Sequence, residues 1–279
     1  MSIDSNIPPA NWFNDADELV KMFTATGLRM TAAHPVDDIL TNHPKIIEHK
    51  DQLRLLSNEA FQESIVLIRG QSGAGKELYA RALHGPMQEN SKFLAVNMAG
   101  LPESLASSIL QGHRAGTFTG ALQDRPGIFE AASKLHNSTS AIVPGTVFLD
   151  EIGDMPLAQQ ALLLRILDTR EVLPIGGDQP KRINCRIIAA TNADLESMMV
   201  AGTFRKDLYA RLMEIEFIIP PWTERFDDIL LLAQHFGMPE DIAKEFLMHF
   251  HPGKLADYGA RYIKAAAANY KRFKKLTLL

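Results

Sequence analysis

Short apolar runs alternate with helical patterns through the middle of the chain. Five of these runs are four or five residues long. They are Ser64–Ile68, Phe93–Val96, Thr146–Leu149, Arg186–Ala190 and Glu216–Ile219. Continuous apolar runs of this length between helices are typical of strands that crossover helices bury on both faces. The pattern therefore predicts an α/β fold built on a mostly parallel sheet.

The clearest helical pattern lies between the third and fourth runs and starts at Pro156. Its predicted apolar face consists of Leu157, Ala161, Leu164 and Leu167. We expect Asp154, just upstream, to cap the first turn of this helix.

The pattern changes after the pair Pro220–Pro221, because no further strand signal follows it. Three helices are predicted instead, at Asp227–Phe236, Pro239–Phe250 and Leu255–Phe273. We therefore expect three parts, which are an N-terminal arm over residues 1–38, the α/β domain over 39–221 and a small all-helical domain over 222–279.

Composition narrows the class of protein. The 279 residues carry 33 acidic and 29 basic side chains, which argues against a chain held on nucleic acid mainly through phosphates. A single cysteine, Cys185, excludes an internal disulfide and any site built from several cysteines. No apolar run approaches the ~20 residues that a membrane span needs. We expect a soluble cytoplasmic protein with Cys185 in its core.

A glycine-rich loop follows the first predicted strand and leads into a predicted helix. Its residues are Gly70, Gln71, Ser72, Gly73, Ala74, Gly75 and Lys76, and Glu77 comes next. Such a loop binds phosphates because its N–H groups and the helix N-terminus face the anion, while the lysine reaches the terminal phosphates. The serine or threonine that usually follows the lysine and ligates Mg²⁺ is here Glu77. A glycine-rich turn without a ligand is the alternative for this stretch.

Two acidic residues end the third predicted strand. Asp150 can hold Mg²⁺ and Glu151 can polarise an attacking water, at the sheet edge where α/β proteins bind ligands. The alternative for this pair is a helix cap or a solvated turn. Thr191 and Asn192 close the next strand and could orient the hydrolytic water, although Thr-Asn is also an ordinary turn. Together, the glycine loop and the acidic pair indicate a nucleoside triphosphate hydrolase.

One further loop resembles a known family. Its residues are Gly116, Thr117, Phe118, Thr119, Gly120 and Ala121. The stretch resembles the GAFTGA loop in the AAA+ domain of bacterial enhancer-binding proteins, the ATPases that activate sigma-54 RNA polymerase, with Thr117 where alanine is usual. The similarity extends from Ile65 to about Leu231. From the residues alone, Phe118 is either an exposed partner contact on a glycine-hinged loop or a buried turn anchor.

The resemblance implies a P-loop NTPase of the AAA+ class, with a helical lid after the α/β domain. It implies that the chain binds ATP and Mg²⁺, accepts Glu77 after the lysine, and assembles as a hexameric ring. It further implies that the loop Gly116–Ala121 contacts the sigma-54 factor and acts on its RNA polymerase. The stretch Glu171–Lys181 resembles a second surface loop that moves with the first.

The resemblance also assigns roles to three residues. Asn97 matches an asparagine that holds the catalytic Glu151, whereas from the residues alone it is a turn residue at a strand end. Arg205 and Arg211 match arginine fingers that reach the ATP of a neighbouring subunit, where a guanidinium stabilises charge on the transferred phosphoryl group. Without the surrounding match, these two arginines would be salt-bridging residues of a helix.

Two features depart from that family. The lid position at which the family carries a nucleotide-reading arginine is Ala256, and no DNA-binding domain is visible in the chain. Ala256 leaves open a relative that binds nucleotide, hydrolyses it weakly and acts by assembling with sigma-54 or a paralogue. Thr117 leaves open an AAA+ protein with a different target. The leading prediction is an ATPase that remodels the closed complex of sigma-54 RNA polymerase to activate transcription.

Overall fold

The computed structural model describes residues 34–58, 61, 63–85, 92–118, 121–133, 144–249 and 259–273. Its strands, in chain order, are β1 (Ile65–Arg69), β2 (Phe93–Asn97), β3 (Gly112–His113), β4 (Arg125–Pro126), β5 (Gly145–Asp150), β6 (Glu171–Val172), β7 (Lys181–Arg182), β8 (Cys185–Thr191) and β9 (Ile215–Ile218). Its α-helices are α1 (Pro44–Leu56), α2 (Lys76–His84), α3 (Glu103–Gln111), α4 (Ile128–Ser133), α5 (Leu157–Thr169), α6 (Leu195–Val200), α7 (Lys206–Leu212), α8 (Phe226–His235), α9 (Glu240–His249) and α10 (Ala260–Phe273). Short 3-10 turns lie at Pro35–Asp38, Ile152–Asp154 and Trp222–Glu224.

Within the described residues, five parallel strands form one sheet in the order β2–β5–β8–β1–β9. These are the five strands that the apolar runs predict, and each end lies within one residue of its expected position. All seven residues of β8 are buried, including Cys185, which the sequence places in the core. The predicted parallel α/β fold is confirmed.

The carboxyl ends of β1, β5 and β8 lie side by side. Because β8 is hydrogen-bonded to both β1 and β5, the segments that leave these three strands emerge at one edge of the sheet. In the register, Arg69 lies opposite Thr191, and Asn97 lies opposite Asp150. Open α/β sheets bind their ligands at this edge. The glycine loop, the acidic pair and the Thr191–Asn192 turn therefore leave the sheet from adjacent strands.

One charged residue lies inside the core and anchors two helices. Arg186 on β8 is 1% exposed, and its guanidinium donates to the main-chain carbonyls of Leu56 (2.6 Å) and Leu83. These carbonyls belong to the last turns of α1 and α2, where C=O groups have no partner within the helix. Burial lowers the pKa of Arg186 to about 10, so the side chain stays charged at neutral pH. Arg186 thereby fixes the far end of the helix that begins at Lys76.

Helix α5 forms as predicted, but its buried face is different. Gln160, Leu163 and Leu167 face the core, whereas Leu157 is 48% exposed. Gln160 can be buried because its amide donates to two main-chain carbonyls, at 2.7 and 2.9 Å. Its side-chain oxygen accepts from the N–H of Arg205 (2.9 Å). The apolar pattern could not reveal this face, because a paired glutamine takes the place of an apolar residue.

The cap predicted at Asp154 is wrong. Asp154 lies in the 3-10 turn Ile152–Asp154, where its N–H donates to the carbonyl of Glu151 (3.1 Å). Pro156 stands at the cap position of α5 without a side-chain hydrogen bond. The turn that follows β5 therefore keeps Asp154 away from the N-terminus of the helix.

The helices that follow β9 pack around a hydrophobic cluster of their own. Helices α8, α9 and α10 contribute Ile229, Phe246 and Ile263, and Trp222 belongs to the same cluster. We call residues 222–273 the helical region. None of the described helices is both long and apolar enough to cross a membrane.

Candidate functional site

The glycine loop leaves β1 and leads directly into α2. The N–H of Gly70 donates to the carbonyl of Thr191 on β8 (3.2 Å), which ties the loop to the sheet edge. Gly75 precedes the first residue of α2 and has φ +106°, a conformation that L side chains rarely adopt. The loop thereby brings the N-terminus of α2 to the sheet edge, and the N–H groups of a helix N-terminus bind anions.

Lys76 connects the glycine loop to the acidic pair. Its side chain is only 8% exposed, and Nζ donates to the carbonyl of Gly70 (3.0 Å). The same Nζ lies 3.5 Å from Oε1 of Glu151, the residue that follows β5. The structure therefore brings together two motifs that are far apart in the sequence.

The two acidic residues lie in different environments. Burial and the neighbouring carboxylate of Glu151 raise the pKa of Asp150 above its usual value. Glu151 has φ +52°, a left-handed backbone conformation that costs about 1 kcal/mol or more for a residue with a side chain. Its Oε2 accepts from the N–H of Asn192 (3.2 Å). This bond and the backbone conformation hold the Glu151 carboxylate beside Lys76.

Thr191 and Asn192 support the site from the end of β8. Thr191 is fully buried, and its hydroxyl accepts from the N–H of Ala193 (3.0 Å). Gly153 packs against that hydroxyl, since a Cβ built on Gly153 would lie 3.1 Å from Thr191 Oγ1. The hydroxyl of Thr191 thus shapes the turn, and the main chain of Asn192 orients Glu151.

Asn97 lies next to the acidic pair but has another partner. Its Oδ1 accepts from the N–H of Ala99 (2.8 Å), and the N–H of Met98 donates to the carbonyl of Asp150 (2.9 Å). In the part of the chain that the structure describes, Asn97 makes no hydrogen bond to Glu151. The structure therefore places Asn97 at the strand end beside Asp150, with its side chain bonded to the segment that follows β2.

The other residues of the glycine loop face in different directions. Glu77, in the first turn of α2, forms an exposed ion pair with Arg81 (2.6 Å). Ala74 is buried and Ser72 is half-buried. The side-chain oxygen of Gln71 accepts from a main-chain N–H of the helical region (3.4 Å). Glu77 thus pairs with the next turn of α2, and its negative charge stabilises the N-terminus of that helix.

Arg205 lies just before α7 and Arg211 lies in its last turn, and both make ion pairs within their own chain. Arg205 binds both carboxylate oxygens of Asp207, and Arg211 lies 3.4 Å from Asp168 and 3.7 Å from Glu214. Their side chains are 41% and 37% exposed. Among the described residues, neither arginine contacts the glycine loop or the acidic pair of the same chain. Both are therefore exposed enough to meet another molecule.

The loop between α3 and α4 projects from a rigid base formed by β3 and β4, and we call these two paired strands the foot. Strands β3 and β4 pair antiparallel, and a Cβ built on Gly112 would lie 2.4 Å from the main-chain N of Gly127. Arg114 forms an ion pair with Asp124 across the loop. Asp124 also accepts from the N–H of Ala115 (2.8 Å). The main chains of the foot are thus packed too closely to admit a side chain at Gly112.

The ends of the predicted contact loop are bonded to each other. The N–H of Gly116 donates to the carbonyl of Ala121 (2.8 Å), and the N–H of Ala121 donates to the carbonyl of Phe118 (3.0 Å). Ala121 is 6% exposed. Thr119 and Gly120 lie outside the described residues. The loop ends are therefore held in place at the foot side.

Phe118 is neither buried nor fully exposed, so it fully matches neither of the two expectations, an exposed partner contact or a buried turn anchor. Its side chain is 47% exposed and packs edge-on against the ring of His113, with ring centroids 4.9 Å apart. His113 is itself held by Ser108 (2.8 Å). Leu122, just beyond the loop, is 88% exposed. Phe118 and Leu122 are therefore two exposed apolar side chains that lie close together in the sequence.

The two surface loops contact each other directly, which the sequence did not reveal. The N–H of Arg114 donates to the carbonyl of Ile175 (3.0 Å), and the N–H of Ile175 donates to the carbonyl of Gly112 (2.9 Å). Thr117 packs against Gly176, because a Cβ built on Gly176 would lie 2.0 Å from Cγ2 of Thr117. The Thr117 that departs from the usual alanine is thus a contact between the loops.

A second group of residues that sequence reasoning missed lies behind the glycine loop. Arg225 is 4% exposed, and its Nη1 donates to the carbonyl of Ala74 (3.3 Å). Its Nε donates to Oδ2 of Asp228 (2.8 Å), which is 1% exposed. The only signal in the sequence is an Arg-Asp pair three residues apart near a helix start. Ala256 lies outside the described residues.

The described residues contain no group of three or more His, Cys, Asp and Glu side chains that could hold a metal ion. Of the acidic pair, Asp150 and Glu151, the Glu151 carboxylate lies 3.5 Å from Nζ of Lys76. A Mg²⁺ ion bound there would need water or phosphate oxygens for the rest of its shell, and Mg²⁺ usually keeps such ligands.

The comparisons with known proteins agree on one family. The family described as the sigma-54 interaction domain matches residues 39–218. The regulatory protein AtoC of Escherichia coli (strain K12) is 49% identical over 200 residues, which are 71% of this chain and 40% of AtoC. The transcriptional regulatory protein GlrR of the same strain is 46% identical over 198 residues, which are 71% of this chain and 42% of GlrR. The chain thus spans about two fifths of the length of these relatives.

Among solved structures, the chain is similar to NtrX from Brucella abortus in complex with ATP. The TM-score is 0.66 at 24% sequence identity, and the match covers 93% of this chain and 58% of the NtrX chain. The two chains share the fold at this level of similarity. This agrees with the parallel sheet and the position of the glycine loop at its carboxyl edge.

Proposed function

The chain belongs to the sigma-54 interaction domain family of transcriptional regulators, and on that premise we propose that it hydrolyses ATP to remodel the closed complex of sigma-54 RNA polymerase. The observation that carries the proposal is the position of Lys76 Nζ, 3.5 Å from Glu151 Oε1 at the carboxyl edge of the sheet. A phosphate-binding lysine and a carboxylate that can activate water are thereby within reach of one substrate.

The residues at this edge fit ATP and Mg²⁺. The N–H groups of the glycine loop and of the first turn of α2 would bind the phosphates, and Lys76 would neutralise their charge. Asp150 would hold Mg²⁺, which stabilises the negative phosphates when bound. A bound cation would offset the burial and the neighbouring Glu151 carboxylate, which together raise the pKa of Asp150.

Glu151 would activate the attacking water. Its carboxylate is oriented by the N–H of Asn192 (3.2 Å) and by Lys76. A base that is fixed by two partners can accept a proton in one defined direction. The left-handed backbone at Glu151 supports a functional role, because such strain persists mainly where the site requires it.

We propose that a structural change caused by hydrolysis is transmitted to the projecting loop through the end of β2. The N–H of Met98 donates to the carbonyl of Asp150 (2.9 Å), and α3 runs from just beyond Met98 to the foot of the loop. A shift at Asp150 would therefore move α3 and with it Phe118. We propose that Phe118 leaves the ring of His113 and contacts the sigma-54 factor.

The proposed assembly is a hexameric ring, in which Arg205 and Arg211 act on the nucleotide of the neighbouring subunit. Both arginines pair with partly or fully exposed carboxylates, and Arg211 also donates to the carbonyl of Leu167 (3.3 Å). Surface ion pairs of this kind are worth only about 0–1 kcal/mol. Exchanging them for a phosphate is therefore inexpensive. Light scattering tests the assembly, since a nucleotide-responsive species of hexamer size is expected and a monomer at all concentrations would contradict it.

Phosphate release from ATP tests the enzymatic part. We expect Glu151→Gln to lower the steady-state rate by about 100-fold or more, because it removes the general base but keeps the shape of the side chain. ATP binding should persist in this variant. Glu240→Gln on the exposed face of α9 is the matched control and should leave the rate unchanged. Equal rates for the wild type and Glu151→Gln would defeat the proposal in favour of a nucleotide-binding regulator.

Capture of sigma-54 tests the partner. The wild-type chain with ADP and aluminium fluoride, which mimics the transition state, should retain purified sigma-54 on a column. Phe118→Ala should abolish this capture while ATP turnover persists. Leu157→Ala, with a similarly exposed apolar side chain (48% against 47%), should have no effect. Undiminished capture by Phe118→Ala would contradict the contact role.

A further inference from the structure

Among the described residues, three hydrogen bonds join the helical region to the glycine loop. The N–H of Trp222 donates to the side-chain oxygen of Gln71 (3.4 Å), and the N–H of Ala260 donates to the carbonyl of Gly73 (3.3 Å). The third contact is the bond from Arg225 to the carbonyl of Ala74 (3.3 Å). Arg225 makes the only side-chain donation among these three.

We propose that Arg225 is a positioning residue of the nucleotide site, which sets the direction of the Gly75 N–H by holding the carbonyl of Ala74. The proposal rests on the nucleotide binding proposed above and deepens it. The Ala74 carbonyl and the Gly75 N–H belong to one planar peptide unit and point in opposite directions. A donor that fixes the Ala74 carbonyl on one side of the loop therefore directs the Gly75 N–H to the opposite side, where the phosphates are proposed to bind.

The guanidinium of Arg225 is itself held in one orientation. Its Nε donates to Oδ2 of Asp228 (2.8 Å), and its central carbon lies 4.2 Å from the centroid of the Trp222 ring. Both members of the ion pair are buried, at 4% and 1% exposure. A buried pair of this kind contributes little net stability, but it fixes geometry when its remaining donors and acceptors are satisfied.

Asp228 extends this contact to a third part of the chain. Its Oδ2 also accepts from the hydroxyl of Thr41 (2.8 Å), and its Oδ1 accepts from the N–H of Asn42 (2.6 Å). Thr41 and Asn42 lie just before α1. The pair Arg225–Asp228 therefore fastens the glycine loop to two segments that are distant in the sequence.

The two phosphates of ADP make a specific test possible. The N–H groups of a P-loop cradle the first two phosphates and its lysine reaches those beyond the first, so ADP makes more contacts with the loop than AMP does. A misdirected Gly75 N–H should therefore weaken ADP binding and spare AMP binding. A residue that merely supported the fold would lower the melting temperature and weaken both nucleotides alike.

Titration of the full chain with ADP and with AMP is the experiment. Arg225→Lys keeps the charge opposite Asp228, but a single ammonium lacks the planar fork that reaches both Asp228 and Ala74. We expect ADP affinity to fall by about tenfold, while AMP affinity stays within about twofold. Arg261→Lys, an exposed arginine of α10, should behave as the wild type.

Asp228→Asn provides a second variant, in case Arg225→Lys fails to fold. It keeps the shape of the side chain and loses the charge that orients Arg225, so ADP affinity should fall by about threefold. A folded Arg225→Lys or Asp228→Asn protein with wild-type ADP affinity overturns the proposal, as does an equal loss for ADP and AMP. Failure of the wild type to bind ADP would instead defeat the proposed nucleotide function, and this proposal with it.

Discussion

We call the carboxyl edge of the sheet, where nucleotide binding is proposed, the nucleotide edge. This edge and the projecting loop are built in opposite ways. At the nucleotide edge, Lys76 is 8% exposed and is held by main-chain carbonyls and Glu151. On the projecting loop, Phe118 is 47% exposed and, among the described residues, packs against one ring, that of His113. The first region presents fixed backbone groups and one buried charge, whereas the second presents an apolar side chain on a short rigid foot.

The difference teaches how one chain can combine a precise site with a movable contact. Fixed donors suit a small ligand with defined charges, because a misplaced phosphate contact loses its hydrogen bonds. A half-exposed aromatic ring can leave a single neighbour at little cost, so it suits a surface that must change. The loop foot, where Gly112 packs against Gly127, marks the boundary between the two.

The largest effect is expected for Lys76→Ala. Removing this charge should weaken ADP binding by roughly 100-fold, because a buried charged hydrogen-bond donor to the phosphates is lost. Lys45→Ala, at an exposed lysine of α1, is the control and should bind ADP normally. Calorimetric titration measures both, and normal binding by Lys76→Ala would place the ligand elsewhere.

The foot of the loop should respond strongly to Gly112→Ala. The new Cβ would lie 2.4 Å from a main-chain nitrogen, so we expect the free energy of unfolding to fall by about 2 kcal/mol or more. Gly116→Ala is a matched control, since both glycines have φ +79° but a Cβ on Gly116 meets nothing within 4 Å. Urea denaturation compares them. Equal losses of unfolding free energy in the two variants would show that the backbone conformation, and not the close contact of the new Cβ, determines the effect at the foot.

Lowering the pH should first weaken the packing of α2, the helix that follows the glycine loop. Burial lowers the pKa of His49 to about 4, and His49 is hydrogen-bonded to Tyr79 of α2 (3.0 Å). Between the unfolded pKa near 6.5 and this value, the unfolded chain binds more protons, so stability falls as pH falls. His49 by itself contributes at most about 1.4 kcal/mol per pH unit to this slope. Urea denaturation at several pH values should show a shallower slope for His49→Gln, and an unchanged slope would contradict the assignment.

The smallest effect on stability is expected for Leu122→Ser. The side chain is 88% exposed, so the free energy of unfolding should stay within about 0.5 kcal/mol of the wild type. Capture of sigma-54 should nevertheless weaken if Leu122 adds to the contact of Phe118. Val200→Ser, at an equally exposed position (90%), should leave capture unchanged. Equal capture by both variants would restrict the contact to Phe118.

The strands and the composition of the nucleotide edge could be predicted from the sequence. Buried strands need continuous apolar residues, and parallel strands carry their polar ends to one edge, so the sequence places Asp150 and Thr191 together. The position of Arg186 inside a predicted strand gave no hint of its partners, because they are main-chain carbonyls of helices far away in the chain.

Other features of the site could not be predicted, for identifiable physical reasons. The left-handed backbone of Glu151 depends on its surroundings, since glutamate has no local preference for it. Gln160 is buried only because three main-chain groups satisfy its amide, and no apolar pattern reports that. Thr117 and Gly176 meet through the fold alone, and the pair Arg225–Asp228 has the spacing of an ordinary surface ion pair. The roles of Asn97, Arg205 and Arg211 stay predictions.

The bonds of Arg186 also have a consequence for biosynthesis. The donor to the carbonyl of Leu83 lies 103 positions later in the chain, and the donor to the carbonyl of Leu56 lies 130 positions later. At about 5 to 20 residues per second, the ribosome needs roughly 5 to 20 s to supply that donor to α2. The nascent nucleotide edge must therefore remain incomplete for seconds, until the strand that carries Arg186 has emerged and inserted between its neighbours.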